Sequence, residues 1–325
     1  MPEPVVVAEI VRSGFVEGHH YGSLVALAAD GSVDWSVGET EAPILPRSCN
    51  KPVQALAMVR LGLDLPPELL ALASASHSGE TFHVEGARAI LASAGLDESA
   101  LQTPPDYPLD DDAREQWIRA GGTKQPVAMN CSGKHAAMLA TCVINGWDLA
   151  TYREPDHPLQ VAILETFAGM TGEAVTAIAV DGCGAPLYSA SLVGLAQAFR
   201  RLALGLDGLD KLDPQVVRVA EAVRAYPAFV SGTKRDELAL LTALPGAIGK
   251  AGAESCYAVA LPDGRAFALK TDDGAPRVRP VLMAAALRRS GVDVEPGVDT
   301  EAVRATGVVP LLGGGRPVGE IRACF

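Results

Sequence analysis

The sequence is poor in aromatic residues, which make up 5% of its 325 residues, and it has no run of basic ones. Only 27 Lys and Arg residues stand against 39 Asp and Glu residues, which gives a formal net charge of −12. Nucleic acids and anionic membrane surfaces are bound through basic patches, so this charge balance argues against both as partners. The shortage of aromatic side chains is explained equally well by the base composition of the genome and by a structural cause.

Long hydrophobic runs and targeting signals are also missing. The longest apolar runs, such as residues 136–144, are too short to span a bilayer. Segment 1–10 has no basic start followed by a long apolar core, so we expect no signal peptide and a cytoplasmic protein. No Gly/Ser linker and no internal repeat divides the chain, and we therefore expect residues 1–325 to form one unit.

The six cysteines are far apart and form no C-x-x-C pair. In a cytoplasmic protein we expect them to be reduced thiols, some buried in the core and some available to a metal. Cys131 opens an apolar helix and Cys183 follows a predicted strand, so together they are candidates for a metal site. Their spacing alone favours two buried thiols, and both interpretations stay open.

Apolar patterns predict strands as well as helices. Residues 5–11 are typical of a buried strand, and residues 23–37 are typical of a hairpin around the turn pair Asp30-Gly31. Residues 175–180, rich in Val, Ile and Ala, predict a central strand of a sheet. Because strands and helices alternate irregularly, the pattern predicts an α/β or α+β fold.

Ser48 and Lys51 form an S-x-x-K pair at the start of a predicted helix, whose apolar positions recur on one face. In the first turn the two side chains lie on the same side, since residues three apart are neighbours. A serine hydroxyl beside a lysine amine can attack a carbonyl once burial lowers the lysine pKa. Taken alone, however, the segment fits a helix N-cap beside a solvated lysine better, because S-x-x-K is common by chance.

Three further segments carry side chains that can do chemistry. Segment 76–80 has two hydroxyls, an imidazole and a carboxylate, although a capped helix start explains it equally well. Segment 130–135 places Cys131 and Lys134 three residues apart at a helix start. Lys250 stands in a Lys-Ala-Gly triplet that resembles the K-T-G strand of penicillin-interacting serine enzymes.

Taken together, these stretches resemble a known family, the Rhizobium-type or class 3 L-asparaginases, also called asparaginase II. Six segments occur in the family's order, which is far more specific than any one of them. They are Arg47-Ser48-x-x-Lys51-Pro52-x-Gln54-Ala55, Ala75-Ser76-His77-Ser78-x-Glu80, Asn130-Cys131-Ser132-Gly133-Lys134-His135, Asp156-His157-Pro158, Asp181-Gly182-Cys183-x-x-Pro186 and Gly249-Lys250-x-Gly252-Ala253.

The resemblance implies an amidohydrolase that converts L-asparagine to L-aspartate and ammonia. It also implies a homodimer and a fold similar to serine β-lactamases and glutaminases, in which an α/β part packs on a helical part. The chain would then be a single asparaginase catalytic unit. A glutaminase or another Ser-Lys amidase is the same-class alternative, since one methylene changes a pocket only modestly. A thiol or zinc-binding protein without hydrolytic activity is the alternative from a different class.

The resemblance also implies roles for individual residues: two serine–lysine pairs and a zinc site built from two cysteines and a lysine. The first pair is Ser48 with Lys51, and the second is Ser76 with Lys250. The zinc ligands are Cys131, Lys134 and Cys183. The candidates to bind the α-carboxylate and α-ammonium of the substrate are Arg47, Glu80, His135 and Asp181.

Either serine can be the nucleophile, and we favour Ser48 because a helix N-terminus can stabilise a nearby oxyanion. The base must be a neutral lysine, whereas an unperturbed lysine has a pKa of about 10.4. Burial and a second nearby cation both lower such a pKa, so we predict Lys51 to be buried and at least partly neutral. Zinc is expected to orient the substrate rather than to take part in the chemistry.

Overall fold

An antiparallel β-sheet runs through the protein, whose computed structural model describes residues 4–325. The strands are β1 (Val6–Arg12), β2 (Phe15–Leu27), β3 (Val33–Val37), β4 (Ile178–Val180), β5 (Pro186–Tyr188), β6 (Ile248–Ala251), β7 (Tyr257–Ala260), β8 (Ala266–Thr271), β9 (Pro310–Gly313) and β10 (Arg316–Ala323). Within the described residues, eight of them form one sheet in the order β6-β7-β8-β2-β1-β10-β9, with β3 also paired to β2. Strands β4 and β5 form a separate hairpin.

Helices cover both faces of this sheet. They are α1 (Lys51–Arg60), α2 (Pro67–Ala73), α3 (Thr81–Ser93), α4 (Asp111–Arg119), α5 (Ser132–Asn145), α6 (Pro158–Thr171), α7 (Leu192–Leu204), α8 (Pro214–Ala225), α9 (Pro227–Val230), α10 (Asp236–Ala243), α11 (Arg279–Arg289) and α12 (Thr300–Thr306). Short 3-10 turns span Arg47–Asn50, Glu98–Ala100, Pro126–Ala128 and Val292–Val294. Among the helices in residues 4–325, none combines the length and the apolar character that crossing a membrane requires.

The central strands separate two hydrophobic cores, because successive side chains of a strand point to opposite faces. On β2, Val25 and Leu27 pack into a core shared with α1–α3 and α5–α8, whereas Leu24 and Ala26 pack into a core shared with α10–α12. Strands β7 and β8 divide their side chains in the same way. The sheet is thus covered on both faces, which confirms the predicted α/β class.

The predicted turn at Asp30-Gly31 is confirmed, and a glycine ends one of the helices. The predicted hairpin forms from β2 and β3, and at its turn the Asp30 carboxylate accepts a hydrogen bond from the Ser32 N–H at 2.9 Å. Helix α5 ends at Gly146, which has φ 67° in the left-handed region that glycine adopts at no steric cost. Local turn chemistry therefore predicts these chain reversals without tertiary information.

Two predictions about burial are wrong. Residues 175–180 do not form a central strand, because β4 has three residues, pairs with β5 in a separate hairpin and leaves Val180 75% exposed. Helix α1 is not amphipathic: residues 51–59 are all buried. A helix that is covered all round lies inside a protein rather than on its surface. Apolar composition predicts burial only on average, and the tertiary fold decides which runs are covered.

Candidate active site

Segments from three parts of the fold meet around one cavity of about 340 Å³. Ser48 comes from the 3-10 turn before α1, Ser76 follows α2, and segment 251–255 lies at and beyond the end of β6. The residues that line the cavity are Ser48, Ser76, Leu109, Asn130, Arg235, Ala251, Gly252, Ala253, Glu254, Ser255, Gly274, Pro276 and Arg279. The serines of the two predicted pairs therefore share one cavity.

The backbone immediately before Ser48 is strained. Arg47 has φ 52°, in the left-handed region that costs a non-glycine residue about 1–2 kcal/mol. Its Nε donates to Oδ1 of Asp181 at 2.9 Å, and its Nη1 lies 3.5 Å from the carboxylate of Glu254. These ion pairs hold the turn that carries Ser48 on the cavity wall.

Lys51 begins α1, and its side chain is fully buried, which confirms the predicted burial. Its Nζ donates to the carbonyl oxygen of Ala75 at 2.6 Å and to Oγ of Ser76 at 2.8 Å, and lies 2.9 Å from Sγ of Cys131. These three partners are a carbonyl, a hydroxyl and a thiol, and none is a carboxylate. A buried amine on a cavity serine is a candidate general base.

The hydrogen bonds of the two lysines do not follow the pairing that the resemblance implies. Lys51, expected with Ser48, donates to Ser76. Lys250, expected with Ser76, donates to Oε1 of Glu237 at 2.8 Å and to the carbonyl oxygen of Ala251 at 2.7 Å. Sequence spacing brings residues near each other, but side-chain rotamers decide which acceptor a long lysine reaches.

Lys250 and Glu237 form a fully buried ion pair. Burial lowers the pKa of Lys250 from 10.5 to about 8; the Glu237 carboxylate opposes this shift, and the cations of Arg235 and Lys51 add to it. Burial raises the pKa of Glu237, but Arg235 and Lys250 outweigh that effect and hold the pKa at about 2. At neutral pH the pair is therefore a carboxylate beside an ammonium.

Gly252 lets two backbone segments approach closely next to the nucleophile candidate. A Cβ added there would lie 2.7 Å from the carbonyl oxygen of Pro46 and 3.2 Å from the backbone nitrogen of Ser48. A larger residue would push the end of β6 away from the turn. The close approach keeps the N–H of Ser48 beside the strand, which is the kind of backbone donor that an oxyanion site requires.

Two buried thiols and a buried amine meet next to Lys51. Nζ of Lys134 lies 3.1 Å from Sγ of Cys183, and Cys131 contacts Lys51. A hydrogen bond from Cys131 lowers the pKa of Cys183 well below its usual value, against the effect of burial and with the help of the Lys134 charge. The same hydrogen bond, together with burial, raises the pKa of Cys131. Cys183 is therefore the more acidic of the two thiols.

This donor set fits zinc, which binds thiolates and nitrogen ligands. In the described part of the chain, Nε2 of His135 is buried without a conventional hydrogen-bond partner, and its ring interacts with the charge of Cys183. Residues 4–325 contain no group of three or more His, Cys, Asp or Glu side chains suited to a metal. A zinc ion here would depend on Lys134 as its third protein ligand.

The four side chains predicted to bind substrate lie outside the lining of the cavity. Arg47 and Asp181 pair with each other. Glu80 accepts hydrogen bonds from the N–H and the hydroxyl of Thr233, at 2.8 and 2.7 Å. His135 is buried, with Nδ1 2.7 Å from a tyrosine hydroxyl. Each side chain already has a structural partner, so its contact with substrate stays a prediction.

The cavity is lined instead by charged side chains that the sequence patterns did not single out. These are Arg235, Glu254 and Arg279, which lie there with Asn130 and Ser255. A run of four charged residues at the start of α10 was the available signal for Arg235. Glu254 and Arg279 carry no local signature, because only tertiary folding brings their segments to the serines.

The solved structures to which the chain is similar share little sequence with it. A β-lactamase from Mycobacterium bovis is 16% identical, with 82% of this chain and 94% of that chain covered and a TM-score of 0.44. A Bacillus glutaminase is 10% identical, with 84% and 92% covered and a TM-score of 0.40. EstCE1, a hydrolase with promiscuous acyltransferase activity, is 14% identical, with 83% and 93% covered and a TM-score of 0.43.

A family model matches nearly the whole chain, although no curated protein matches it. The model describes L-asparaginase II and covers residues 8–323, a span that includes all six segments on which the resemblance rests. The predicted family is therefore confirmed. The chain belongs to the L-asparaginase II family of amidohydrolases.

Proposed function

We propose that the protein hydrolyses L-asparagine to L-aspartate and ammonia through a serine nucleophile that a lysine amine activates. The observation that supports this most directly is the buried amine of Lys51, which donates to Ser76 in the cavity that Ser48 also lines. A serine hydroxyl is a weak nucleophile until a neighbouring base accepts its proton. The family assignment supports amide hydrolysis as the reaction class.

Acylation begins when Oγ of Ser48 forms a bond to the side-chain amide carbon of asparagine. The hydroxyl proton passes to the amine of Lys51, and the negative charge that develops on the amide oxygen is stabilised by the N–H of Ser48. The C–N bond then breaks, and the departing nitrogen takes the proton from the lysine and leaves as ammonia. The product of this step is an aspartyl ester on Ser48.

Deacylation repeats these proton transfers with water as the nucleophile. Water adds to the ester carbon and gives a proton to Lys51, which returns it to the serine oxygen as the C–O bond breaks. L-Aspartate leaves and Ser48 regains its proton. Ser76, hydrogen-bonded to Lys51 at 2.8 Å, keeps the amine beside the cavity during both steps.

The charged lining of the cavity suits the two ends of a free amino acid. Arg235 and Arg279 offer cations to the α-carboxylate, and Glu254 offers a carboxylate to the α-ammonium. The hydroxyl of Ser255, which lines the cavity, is buried without a hydrogen-bond partner in residues 4–325 and is available to a ligand. These contacts select free asparagine over an amide that lacks charged α-groups.

We also propose that Cys131, Lys134 and Cys183 hold zinc. When bound, the ion would supply a positive charge that orients the substrate. Cys131 is in contact with Lys51, so the thiol pair and the proposed base lie side by side. Metal analysis of the purified protein tests the site: we expect one zinc ion per chain, and Cys131→Ser to reduce that content at least tenfold. A parent protein free of zinc after purification with added zinc contradicts the site.

Ammonia release tests the proposed reaction. We expect release from L-asparagine, loss of release in Ser48→Ala, and an aspartyl ester on the peptide that contains Ser48 when the reaction is quenched in acid. An ester on Ser76 instead would reassign the nucleophile. Faster release from L-glutamine would identify a glutaminase, and no release from either amide would remove the enzyme hypothesis in favour of a thiol or zinc-binding protein.

A homodimer, a single catalytic unit over residues 1–325 and residence in the cytoplasm stay predictions of the family resemblance and of the sequence. Sedimentation equilibrium of the purified protein tests the first, and a mass near twice 33.7 kDa is the expected result.

A further inference from the structure

Glu237 is fully buried in the first turn of α10, where it contacts two cations. Its Oε1 accepts hydrogen bonds from Nζ of Lys250 and from the N–H of Ala251, both at 2.8 Å. Its Oε2 lies 2.7 Å from Nη2 of Arg235, in an ion pair whose N–H is not aligned for a hydrogen bond. One carboxylate thus holds two charged side chains and the end of β6 in place.

Through these contacts Glu237 reaches both sides of the cavity without lining it. On one side, Nη1 of Arg235 donates to the carbonyl oxygen of Ser76 at 2.9 Å. On the other side, Ala251 leads into Gly252, whose backbone packs against the turn that carries Ser48. A substitution at Glu237 is therefore expected to alter the position of both serines.

The groups around Lys250 leave it a single acidic partner. Glu237 faces it with a negative charge, Arg235 and Lys51 face it with positive charges, and the thiol of Cys49 donates to its backbone carbonyl at 3.0 Å. A buried ammonium without a carboxylate partner loses its proton readily, whereas a charge-assisted hydrogen bond stabilises it. The contact with Glu237 at 2.8 Å is such a bond.

We propose that Glu237 is a positioning residue that keeps Lys250 as an ammonium, so that Lys250 acts as a fixed positive charge rather than as a base. This rests on the proposed asparaginase function and goes beyond it, because the family resemblance places Lys250 in a serine–lysine pair without giving it a role of its own. Lys250 directly precedes Ala251, which lines the cavity, and a fixed cation next to the cavity favours the negative charge of the tetrahedral intermediate.

The pH dependence of kcat/KM in Glu237→Gln tests whether Glu237 keeps Lys250 charged. Burial lowers the pKa of Lys250 to about 8, so we expect wild-type activity to fall as the pH rises through that range. Without the carboxylate, that alkaline fall moves to lower pH by about 1–3 pH units, because an opposite charge at this distance shifts a pKa by that amount. At pH 6 the variant retains a larger share of wild-type activity than at pH 8.

Two results would overturn the proposal. In the first, Glu237→Gln lowers activity equally at every pH, which means that the residue serves the fold only. In the second, activity rises with pH through the Lys250 transition, and the rise moves to lower pH in the variant, which means that Lys250 is itself the base. Absence of ammonia release by the wild type is a different outcome and counts against the proposed function.

A matched pair at Lys250 covers the case in which Glu237→Gln does not fold. Lys250→Arg keeps the charge but cannot act as a base, whereas Lys250→Met removes both properties. We expect the arginine variant to be at least tenfold more active than the methionine variant, with its alkaline fall abolished. Equal loss in two folded variants, checked by circular dichroism, contradicts the proposal.

Discussion

Lys51 and Lys250 are both fully buried near the cavity that the two serines line, but the chemistry around them differs. Lys51 contacts a carbonyl, a hydroxyl and a thiol, whereas Lys250 contacts a carboxylate and a carbonyl. A carboxylate favours the ammonium, while a hydroxyl leaves an amine able to accept a proton. The difference predicts that the hydrogen-bond partner, rather than membership of a motif, decides which lysine serves as a base.

The largest effect is expected from Lys51→Arg. A guanidinium keeps the positive charge but cannot be deprotonated in a protein, so the proposed base is lost. We expect kcat for ammonia release to fall by about 10²- to 10⁴-fold, the usual contribution of a general base. Lys124→Arg, at an exposed position, is the control and should leave kcat unchanged. Substantial activity in Lys51→Arg would erase the distinction between the two lysines.

A smaller effect is expected when the charge of Glu237 is removed, and it concerns the free energy of unfolding. Its pKa in the folded protein, about 2, lies below the ordinary 4.5, so the ionised carboxylate stabilises the fold above pH 4.5. That contribution, about 3 kcal/mol, is lost as the pH falls from 4.5 towards 2. We expect Glu237→Gln to lower the free energy of unfolding at pH 7 and the gap from wild type to narrow in acid, measured by denaturant titration.

The matched control for that measurement is Glu165→Gln, which changes an exposed carboxylate on α6. It should alter the free energy of unfolding by less than about 0.5 kcal/mol. A gap between Glu237→Gln and wild type that is constant from pH 7 to pH 3 would show that the carboxylate gains nothing from its two cations. The environment of Lys250 would then resemble that of Lys51 more closely than the contacts indicate.

The smallest effect is expected from a substitution of Gly252, which lies between the surroundings of the two lysines. Gly252 follows the strand that carries Lys250 and packs on the turn before Lys51, and a Cβ there would lie 2.7 Å from the Pro46 carbonyl oxygen. We expect Gly252→Ala to cost about 1–3 kcal/mol of stability, the usual range for overpacking, and to lower kcat about tenfold.

Gly169→Ala is the control, because a Cβ at that position on α6 meets nothing within 4 Å. There alanine should stabilise the helix by about 0.5–1 kcal/mol. Thermal unfolding and ammonia release compare the two variants directly. If both behave alike, the close approach of strand and turn is unimportant to the cavity.

Much of the site was predictable from the sequence, because its motifs are local. Ser48 and Ser76 share the cavity as predicted, Lys51 is buried as predicted, and Cys183 meets Lys134. These features could be predicted because each motif is recognised from its residue types and their spacing, and the family from the order of the motifs.

The partners of the lysines were not predictable. Glu237 lies 13 residues from Lys250 and on a different element, so no periodicity joins them. The same holds for Arg279 and Glu254, which reach the cavity from separate segments. Apolar composition likewise misplaced residues 175–180, because whether an apolar run is covered depends on what packs over it.

The family, the α/β class and the order of the serine, lysine and cysteine motifs could all be predicted before the structure was known. These predictions depend on residue types and their local spacing, which are the same before and after the chain folds. That Lys51 donates to Ser76 and that Lys250 faces a carboxylate is visible in the folded protein alone. Burial and charge partners set the protonation of a lysine, and both arise when distant segments pack together.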